Sequence, residues 1–189
     1  MAEPQTDPHP IAPGWRPGDK RPDVAAMLRV DQAGEYGATR IYAGQLAVLG
    51  DRHKSSALIA GMAAQEREHL RHFDELLAAR GVRPTLLQPF WAVAGHALGA
   101  ATALISPAAA MACTAAIEDE IDAHYAEQLA ELGDGDPPLS ASIAAFQADE
   151  RAHRDAAIEA GAESTIGYPL LYAAIRTGCR AAIELSKRI

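Results

Sequence analysis

The hydrophobic and polar residues of this chain follow the period of an α-helix over most of its length, and no segment shows sustained two-residue alternation. Glycine and proline interrupt the pattern and mark where the helical segments end. We therefore predict an all-α protein with six helices, at about residues 24–49, 52–80, 90–105, 107–132, 139–160 and 165–189.

Three of the predicted helix starts depend on capping residues. Asp51 is predicted to cap the second helix, directly after Gly50 ends the first. Ser106 and Pro107 are predicted to open the fourth helix as its cap and first-turn residue. Ser164 is predicted to cap the last helix.

The segment between the second and fourth helices is much longer than a hairpin loop needs to be. Two hairpins joined by a long crossover are the connection of a ferritin-like four-helix bundle, here with an extra C-terminal helix. No Asp, Glu, Lys or Arg occurs from Pro84 through Ile117, so something apolar must cover the crossover helix. At about 16 residues it is short of the ~20 that span a bilayer. Its cover is either the bundle or a second copy of the chain, or else the membrane interface with Trp91 at headgroup depth.

Composition limits the other properties of the protein. Residues 1–22 contain six prolines, which predicts a flexible tail before one helical domain at 23–189. A net charge of −8 without a basic cluster argues against nucleic acid as a partner. Cys113 and Cys179 lack a metal or redox spacing, so we expect free buried thiols in a reducing compartment. The first residues resemble neither a signal peptide nor a mitochondrial presequence, and we expect a bacterial cytoplasmic protein.

Candidate chemistry comes from an arrangement of glutamates and histidines that occurs twice. In each half a lone glutamate is followed, 31 or 32 positions later, by a Glu-x-x-His pair; the sets are Glu35, Glu66 and His69, and Glu118, Glu150 and His153. Residues three positions apart share one helix face, so each pair can hold one ion. The halves are offset by 83 or 84 positions, which indicates an internal repeat. Packing the two hairpins together would close all six side chains around one cavity.

Other acidic residues and histidines near the repeat are interpreted as surface residues. Glu68 and His72 form a pair four positions apart that has no counterpart in the other half. The competitors of Glu118 on its own helix lack the repeat spacing and are interpreted as a solvated face: Asp119, Glu120 and Asp122.

Four carboxylates inside an apolar bundle would take up protons unless cations neutralised them. Two divalent cations balance four negative charges, and mixed oxygen and imidazole ligands suit iron or manganese. By analogy with such sites, each ion has a terminal glutamate and a histidine, and two glutamates bridge the ions. The bridging residues are Glu66 and Glu150, the terminal carboxylates are Glu35 and Glu118, and the histidines are His69 and His153.

Two further features lie beside the expected ligands. Asp149 is either the hydrogen-bond partner of His69, from the opposite Glu-x-x-His helix, or a surface charge. Gly34 and Gly37 lie inside the first helix, where glycine costs up to about 1 kcal/mol against alanine. Either close helix packing or room for a ligand channel would explain these two glycines.

Several segments resemble the demethoxyubiquinone hydroxylase family of ubiquinone biosynthesis. They are residues 29–38 (RVDQAGEYGA), 65–70 (QEREHL), 112–118 (ACTAAIE) and 149–153 (DERAH). The likeness covers residues 24–189 and continues into the last helix at 178–186. Rubrerythrins and ferritins share the Glu-x-x-His pairs but not these flanking residues.

The resemblance implies a carboxylate-bridged di-iron monooxygenase. It would hydroxylate the ring of a demethoxyubiquinone or its quinol, with dioxygen as co-substrate and NADH as electron source. The metal ligands of the family fall on the six residues already named. Of these, Glu66 and Glu150 are expected to be catalytic. His124, expected to be catalytic, and Arg180, expected to bind a cofactor, match family positions implicated in substrate handling or in electron and proton delivery. Otherwise they are a partly exposed histidine and a surface arginine paired with Glu184.

The resemblance also implies partners and a location. A polyprenyl quinone must be taken from a bilayer, so the protein is expected on the membrane surface, at the cytoplasmic face of a bacterial inner membrane. A second copy of the chain and other proteins of ubiquinone biosynthesis are further candidate partners. The alternatives are a ferritin-like iron oxidase or peroxidase, and a non-enzymatic helical scaffold of the same pathway.

Overall fold

The computed structural model describes residues 22–189, so the tail predicted at 1–22 lies, except for Pro22, outside the described residues. Within them the protein is all-α, as predicted, with one short 3-10 helix at Ala162–Ser164 and no strand. The six helices are α1 (Val24–Leu49), α2 (Ser56–Arg80), α3 (Gln88–Ile105), α4 (Pro107–Leu132), α5 (Pro137–Glu159) and α6 (Tyr168–Arg188).

The helix boundaries confirm some predicted caps and contradict others. Ser106 Oγ accepts a hydrogen bond from the Ala109 amide, which is the cap expected for α4. Asp51 does not cap α2, because residues 51–55 form a turn and Ser55 occupies the position before the helix. Ser56 Oγ closes this turn by donating a hydrogen bond to the Gly50 carbonyl. Ser164 does not cap α6 either, since it lies in the 3-10 helix that precedes it.

Two antiparallel hairpins, α1 with α2 and α4 with α5, pack together as the predicted ferritin-like bundle. All four helices contribute to an apolar cluster at one end of the bundle, which includes Leu28, Phe73, Leu132 and Ile143. They also contribute to a second cluster at the other end, which includes Tyr42, Ile59, Met111 and Ala157. The middle of the bundle, between these two clusters, holds the polar side chains described below.

The crossover helix α3 packs closely along α1 because glycines remove side chains from the contact. A Cβ at Gly99 would lie 2.0 Å from the Ile41 carbonyl oxygen, and one at Gly44 would lie 2.1 Å from the His96 carbonyl oxygen. The bundle therefore covers one face of α3. The opposite face exposes large apolar side chains, namely Phe90, Val93, Leu104 and Ile105. No helix within residues 22–189 has the length and apolar character needed to cross a bilayer.

The last helix is attached by charge as well as by apolar packing. The Glu120 side chain is only 7% exposed and accepts hydrogen bonds from Arg176 and Arg180 of α6, at 2.8–3.0 Å. Asp119 also pairs with Arg176, while Asp122 pairs with Arg151 of α5. The prediction that the acidic residues after Glu118 form a solvated face was therefore wrong. Arginines of two neighbouring helices neutralise them.

The two cysteines are free thiols, as predicted. Cys113 is buried, Cys179 is half-buried, and neither forms a disulfide. Burial raises the pKa of each thiol to about 12. The thiols are therefore protonated and unreactive at neutral pH.

Candidate metal centre

The six side chains predicted as ligands meet in the middle of the bundle, and each of these residues is at most 5% exposed. Their ligand atoms form two overlapping groups, and the atoms of each group lie within 4.8 Å of one another. One group is Glu35, Glu66, His69 and Glu150, and the other is Glu66, Glu118, Glu150 and His153. Glu66 and Glu150 belong to both groups, which is the placement that bridging carboxylates require.

Both histidines direct Nδ1 toward the carboxylates. His69 Nδ1 lies 3.3 Å from Glu150 Oε1 and 3.5 Å from Glu35 Oε2. His153 Nδ1 lies 2.9 Å from Glu66 Oε1. These ring nitrogens nevertheless lack hydrogen-bond geometry toward any partner. They point into the space between the carboxylates, where a shared ion would be bound.

Most polar atoms that face the centre of the cluster have no hydrogen-bond partner. They are both oxygens of Glu66 and of Glu150, one oxygen each of Glu35 and Glu118, and Nδ1 of both histidines. Each unpaired buried group costs about 1–3 kcal/mol. A pair of divalent cations would satisfy all of them, and the donor set is the mixed oxygen and imidazole set of iron or manganese. The residues present therefore fit a dinuclear metal centre.

Burial raises the pKa of Glu35 and Glu118 well above the ordinary range, and the charges of neighbouring glutamates raise it further. Burial also acts to raise the pKa of Glu150, but the adjacent imidazoles of His153 and His69 lower it to about 2. For the two histidines burial acts to lower the pKa, yet the carboxylates raise it to about 12 for His69 and about 9 for His153. A metal ion entering the cluster would therefore displace protons.

Each histidine directs its second ring nitrogen toward the opposite hairpin. His69 Nε2 lies 3.1 Å from Asp149 Oδ2, which is the contact predicted from the sequence. His153 Nε2 lies 3.0 Å from Gln65 Oε1. Gln65 and Asp149 each directly precede the glutamate of a Glu-x-x-His pair. Sequence reasoning missed Gln65, although the repeat spacing points to it.

Two buried tyrosines form a second symmetric set that sequence reasoning missed. The Tyr42 hydroxyl donates a hydrogen bond to Glu118, and the Tyr125 hydroxyl donates one to Glu35. Each tyrosine lies seven positions after the lone glutamate of its own half, and each binds the glutamate of the other half. Burial raises the pKa of both phenols well above 10, so both remain donors at neutral pH. They fix one oxygen of Glu35 and one of Glu118, and the other oxygen of each carboxylate has no hydrogen-bond partner.

His124 and Arg180 do not belong to the clustered groups. His124 is 8% exposed, not partly exposed as one interpretation had it, and its Nε2 lies 3.6 Å from Asp31 Oδ1 and 2.9 Å from Gln128 Nε2. Arg180 lies on the surface, with 65% of its side chain exposed. It pairs with Glu120 and not with the predicted Glu184.

The rival pair on α2 is only partly as predicted. Glu68 is exposed and pairs with Arg71, as expected of a surface residue. His72 is half-buried, and its ring packs edge-on against Phe73 and Phe146. His72 is therefore a packing residue of the bundle, because Phe146 of α5 covers this side of α2.

An apolar cavity of about 490 Å³ lies between α1, α3 and α6, with two isoleucines of α4 in its wall. Its lining is aliphatic or glycine except for Trp91, Cys179 and Ser186. The indole Nε1 of Trp91 donates to Ser186 Oγ at 3.1 Å, so this donor is already satisfied. Gly34 and Ile117 line the cavity and directly precede clustered glutamates in the sequence. The cavity therefore reaches the level of the carboxylates along the bundle.

Comparison with known proteins shows the family of the chain. The family model described as "Ubiquinone biosynthesis protein COQ7" matches residues 22–186. The 3-demethoxyubiquinol 3-hydroxylase of Rhodospirillum rubrum is 51% identical over 175 residues, which cover 92% of this chain and 82% of that protein. The mitochondrial NADPH-dependent 3-demethoxyubiquinone 3-hydroxylase of Homo sapiens is 46% identical over 173 residues, covering 89% of this chain and 79% of the relative.

A fungal relative shows the same likeness at lower identity. The mitochondrial 5-demethoxyubiquinone hydroxylase of Saccharomyces cerevisiae is 41% identical over 179 residues, covering 86% of this chain and 77% of that protein. The matched region in each comparison includes nearly all of the bundle. The chain therefore belongs to the COQ7 family of ubiquinone biosynthesis proteins.

Proposed function

We propose that this protein is a di-iron monooxygenase that hydroxylates the ring of a demethoxyubiquinone or its quinol, with dioxygen as co-substrate. The observation that carries the proposal is the pair of overlapping ligand groups that share Glu66 and Glu150. The names of the relatives support the reaction, since they are hydroxylases of demethoxyubiquinone or demethoxyubiquinol. Two iron ions bound there would supply the redox chemistry with dioxygen that a side chain cannot supply.

The residues of the chain would hold and isolate this chemistry. Glu35, Glu118 and the two histidines would each hold one ion, and the shared glutamates would hold both. The phenols of Tyr42 and Tyr125 fix the orientation of the terminal carboxylates. The apolar clusters at both ends of the bundle would keep water away from the centre.

The apolar cavity is the proposed binding place of the quinone ring. It provides almost no polar groups, as suits a polyprenyl quinone, and it reaches the level of the carboxylates. Its walls α3 and α6 expose apolar side chains, among them Val93 and Leu104 on α3 and Leu170 on α6. We assign this surface to the membrane interface, which in a bacterium would be the cytoplasmic face of the inner membrane.

The electron source is proposed to be a reduced nicotinamide. NADH is the expectation from the family resemblance, whereas the human relative is named NADPH-dependent. Both should therefore be compared as reductants. His124 and Arg180 are proposed to handle substrate or to deliver electrons and protons. Loss of turnover in His124→Asn or Arg180→Lys with unchanged iron content would support this role.

The decisive experiment is single-turnover hydroxylation. The protein is loaded anaerobically with iron, then mixed with reductant, dioxygen and a short-tailed demethoxyubiquinone, and mass spectrometry measures a gain of one oxygen atom. Glu66→Ala and Glu150→Ala should lose both iron and product, while the exposed neighbour Glu68→Ala should keep both. Iron oxidation without a hydroxylated quinone would favour the ferritin-like oxidase, and absence of bound metal would favour the scaffold.

Membrane association has its own test. Charged replacements should be made at Val93 and Leu104, which are 71% and 74% exposed. Trp91 and Leu98 of the same helix are unsuitable for this test, because they line the cavity. Val93→Glu and Leu104→Glu should reduce binding to vesicles of zwitterionic and anionic phospholipid. Ala126→Glu, at an exposed position of α4, is the control. Full vesicle binding by both α3 variants would contradict the membrane assignment.

A further inference from the structure

Gly34 and Gly37 lie on the face of α1 that lines the apolar cavity. A Cβ built on either residue meets nothing within 4 Å. Close helix packing, one of the two explanations for these glycines, therefore does not account for them. Glycine inside a helix is unfavourable relative to alanine, so the missing side chains need another reason.

Other glycines of the same helices show what a packing requirement looks like. At Gly44 and Gly99 a Cβ would lie about 2 Å from a carbonyl oxygen of the facing helix, at 2.1 and 2.0 Å respectively. At Gly95 a Cβ would lie 3.1 Å from the Gly37 carbonyl oxygen. These three positions cannot easily carry a side chain. Gly34 and Gly37 can, yet their side-chain space is left to the cavity.

The cavity at this level also has an aromatic wall. α3 runs parallel to α1, since Gly95 lies against Gly37 and Gly99 lies against Ile41. One helical turn before Gly95 is Trp91, which also lines the cavity. Its indole therefore stands at about the height of Gly34, held there by its hydrogen bond to Ser186 of α6. Bare backbone and an indole thus border the same part of the cavity.

We infer that Gly34 and Gly37 are specificity-determining residues for the quinone. Without side chains, they let a substituted ring lie against the α1 backbone, one and two residues from Glu35 and thus at the level of the metal centre. The assignment rests on the proposed function, because it takes the cavity to be the quinone site. The tail of the quinone would extend along the rest of the apolar cavity toward the exposed faces of α3 and α6.

The test uses the full-length, metal-loaded protein and the fluorescence of Trp91. Trp15→Phe leaves Trp91 as the only tryptophan, and a quinone bound in the cavity quenches it. The probes are a demethoxyubiquinone with a decyl tail and decyl-1,4-benzoquinone, which lacks the methyl and methoxy groups. The variants are Gly34→Ala, Gly37→Ala and Gly34→Leu.

The matched control is Gly61→Ala on α2, where a Cβ also meets nothing within 4 Å but the residue does not line the cavity. All three alanine variants should raise Tm by about 2–4 °C, as a helix gains from replacing glycine. Only Gly34→Ala and Gly37→Ala should also raise the Kd of the demethoxyubiquinone, by about fivefold or more. Gly34→Leu should raise it further. The unsubstituted decyl-1,4-benzoquinone should lose less affinity than the substituted ring.

Two results would overturn the inference. One is an unchanged Kd for the demethoxyubiquinone in Gly34→Ala, Gly37→Ala and Gly34→Leu. The other is an equal loss for both probes, which would indicate a general distortion of the cavity. Failure of the proposed function has a different signature: the quinone would then not quench Trp91 in the Trp15→Phe parent, or that parent would form no hydroxylated product.

Discussion

Replacing Glu118 by glutamine should stabilise the metal-free protein while abolishing its response to metal. Burial and the charges of Glu150 and Glu66 raise the pKa of Glu118 well above its usual range, so the ionised form is unfavourable in the folded state. Glutamine has nearly the same shape and no charge. Its oxygen can still accept the hydrogen bond of Tyr42, and its amide would face the unpaired oxygens of the shared glutamates.

The size of the effect follows from the geometry of the cluster. The ligand atoms of a group lie within 4.8 Å of one another, and two unit charges at that distance repel by about 3.5 kcal/mol at an effective dielectric constant of about 20. Protonation of the cluster relieves part of this repulsion. We therefore expect Glu118→Gln to add about 1–3 kcal/mol to the free energy of unfolding, or roughly 2–10 °C in Tm.

The assay is urea unfolding followed by circular dichroism, once with chelator and once with excess Mn²⁺. Metal at a hundred times its Kd should stabilise the unmodified protein by about 2.7 kcal/mol. Glu118→Gln should gain little from metal, so the order of stability should reverse between the two buffers. Glu131→Gln, at an exposed position of the same helix, should behave as the unmodified protein in both.

The pH dependence of stability gives a further check on the direction of the Glu118→Gln effect. A carboxyl with a raised folded-state pKa binds more protons in the folded than in the unfolded protein, so it lowers stability as pH rises above about 4.5. The unmodified protein and Glu118→Gln should therefore converge in stability near pH 4 in chelator. The reasoning is refuted if Glu118→Gln is the less stable protein in chelator at pH 7, or if metal stabilises both proteins equally.

Three further predictions concern residues outside the ligand set. Glu120→Gln should lower the free energy of unfolding by about 2 kcal/mol, because the buried carboxylate loses its ion pairs with Arg176 and Arg180. Urea unfolding measures this change, and iron content should stay unchanged. An unaltered unfolding curve would mean that these ion pairs do not hold α6 on the bundle. Gly99→Ala should destabilise by about 1–3 kcal/mol, since its Cβ would lie 2.0 Å from the Ile41 carbonyl oxygen; an unchanged Tm would exclude such close packing of α3 on α1. Asp149→Asn should weaken iron binding by about 10–100-fold in competition with a chelator, and equal affinity would contradict its role beside the ligating histidine.

Periodicity and capping predicted the helices well where a single local signal acts. α1 spans the residues expected, and Ser106 caps α4 as predicted. The prediction of Asp51 and Ser164 as helix caps was wrong, because each residue lies in a short turn whose own hydrogen bonds compete with a helix start. A capping residue in the sequence indicates only that its side chain can accept a bond. The turn that follows decides whether it does.

The candidate site could be predicted to the extent that it repeats. The internal offset selected all six clustered residues, and the same offset relates Tyr42 to Tyr125 and Gln65 to Asp149. These four residues could therefore have been predicted from the repeat, but only Asp149 was. The environment of Glu120 was not recoverable, because it depends on how α6 lies against α4. Gly34 and Gly37 left room for a ligand channel as one interpretation, but the cavity itself could not be predicted, since helices far apart in sequence form its walls.

The duplication also extends to the outer helices, because α3 follows the first hairpin and packs on α1, while α6 follows the second and packs on α4. The two halves differ at the positions in the second half that correspond to Gly34 and Gly37. The positions 83 residues later are Ile117 and Glu120, and both are buried. α4 thus carries side chains at the two positions beneath α6 where α1 carries glycine. The repeated residues build a symmetric cluster, and the residues that break the repeat remove two side chains from the α1 wall of the cavity. A ligand of this cavity would reach the symmetric centre from a single side.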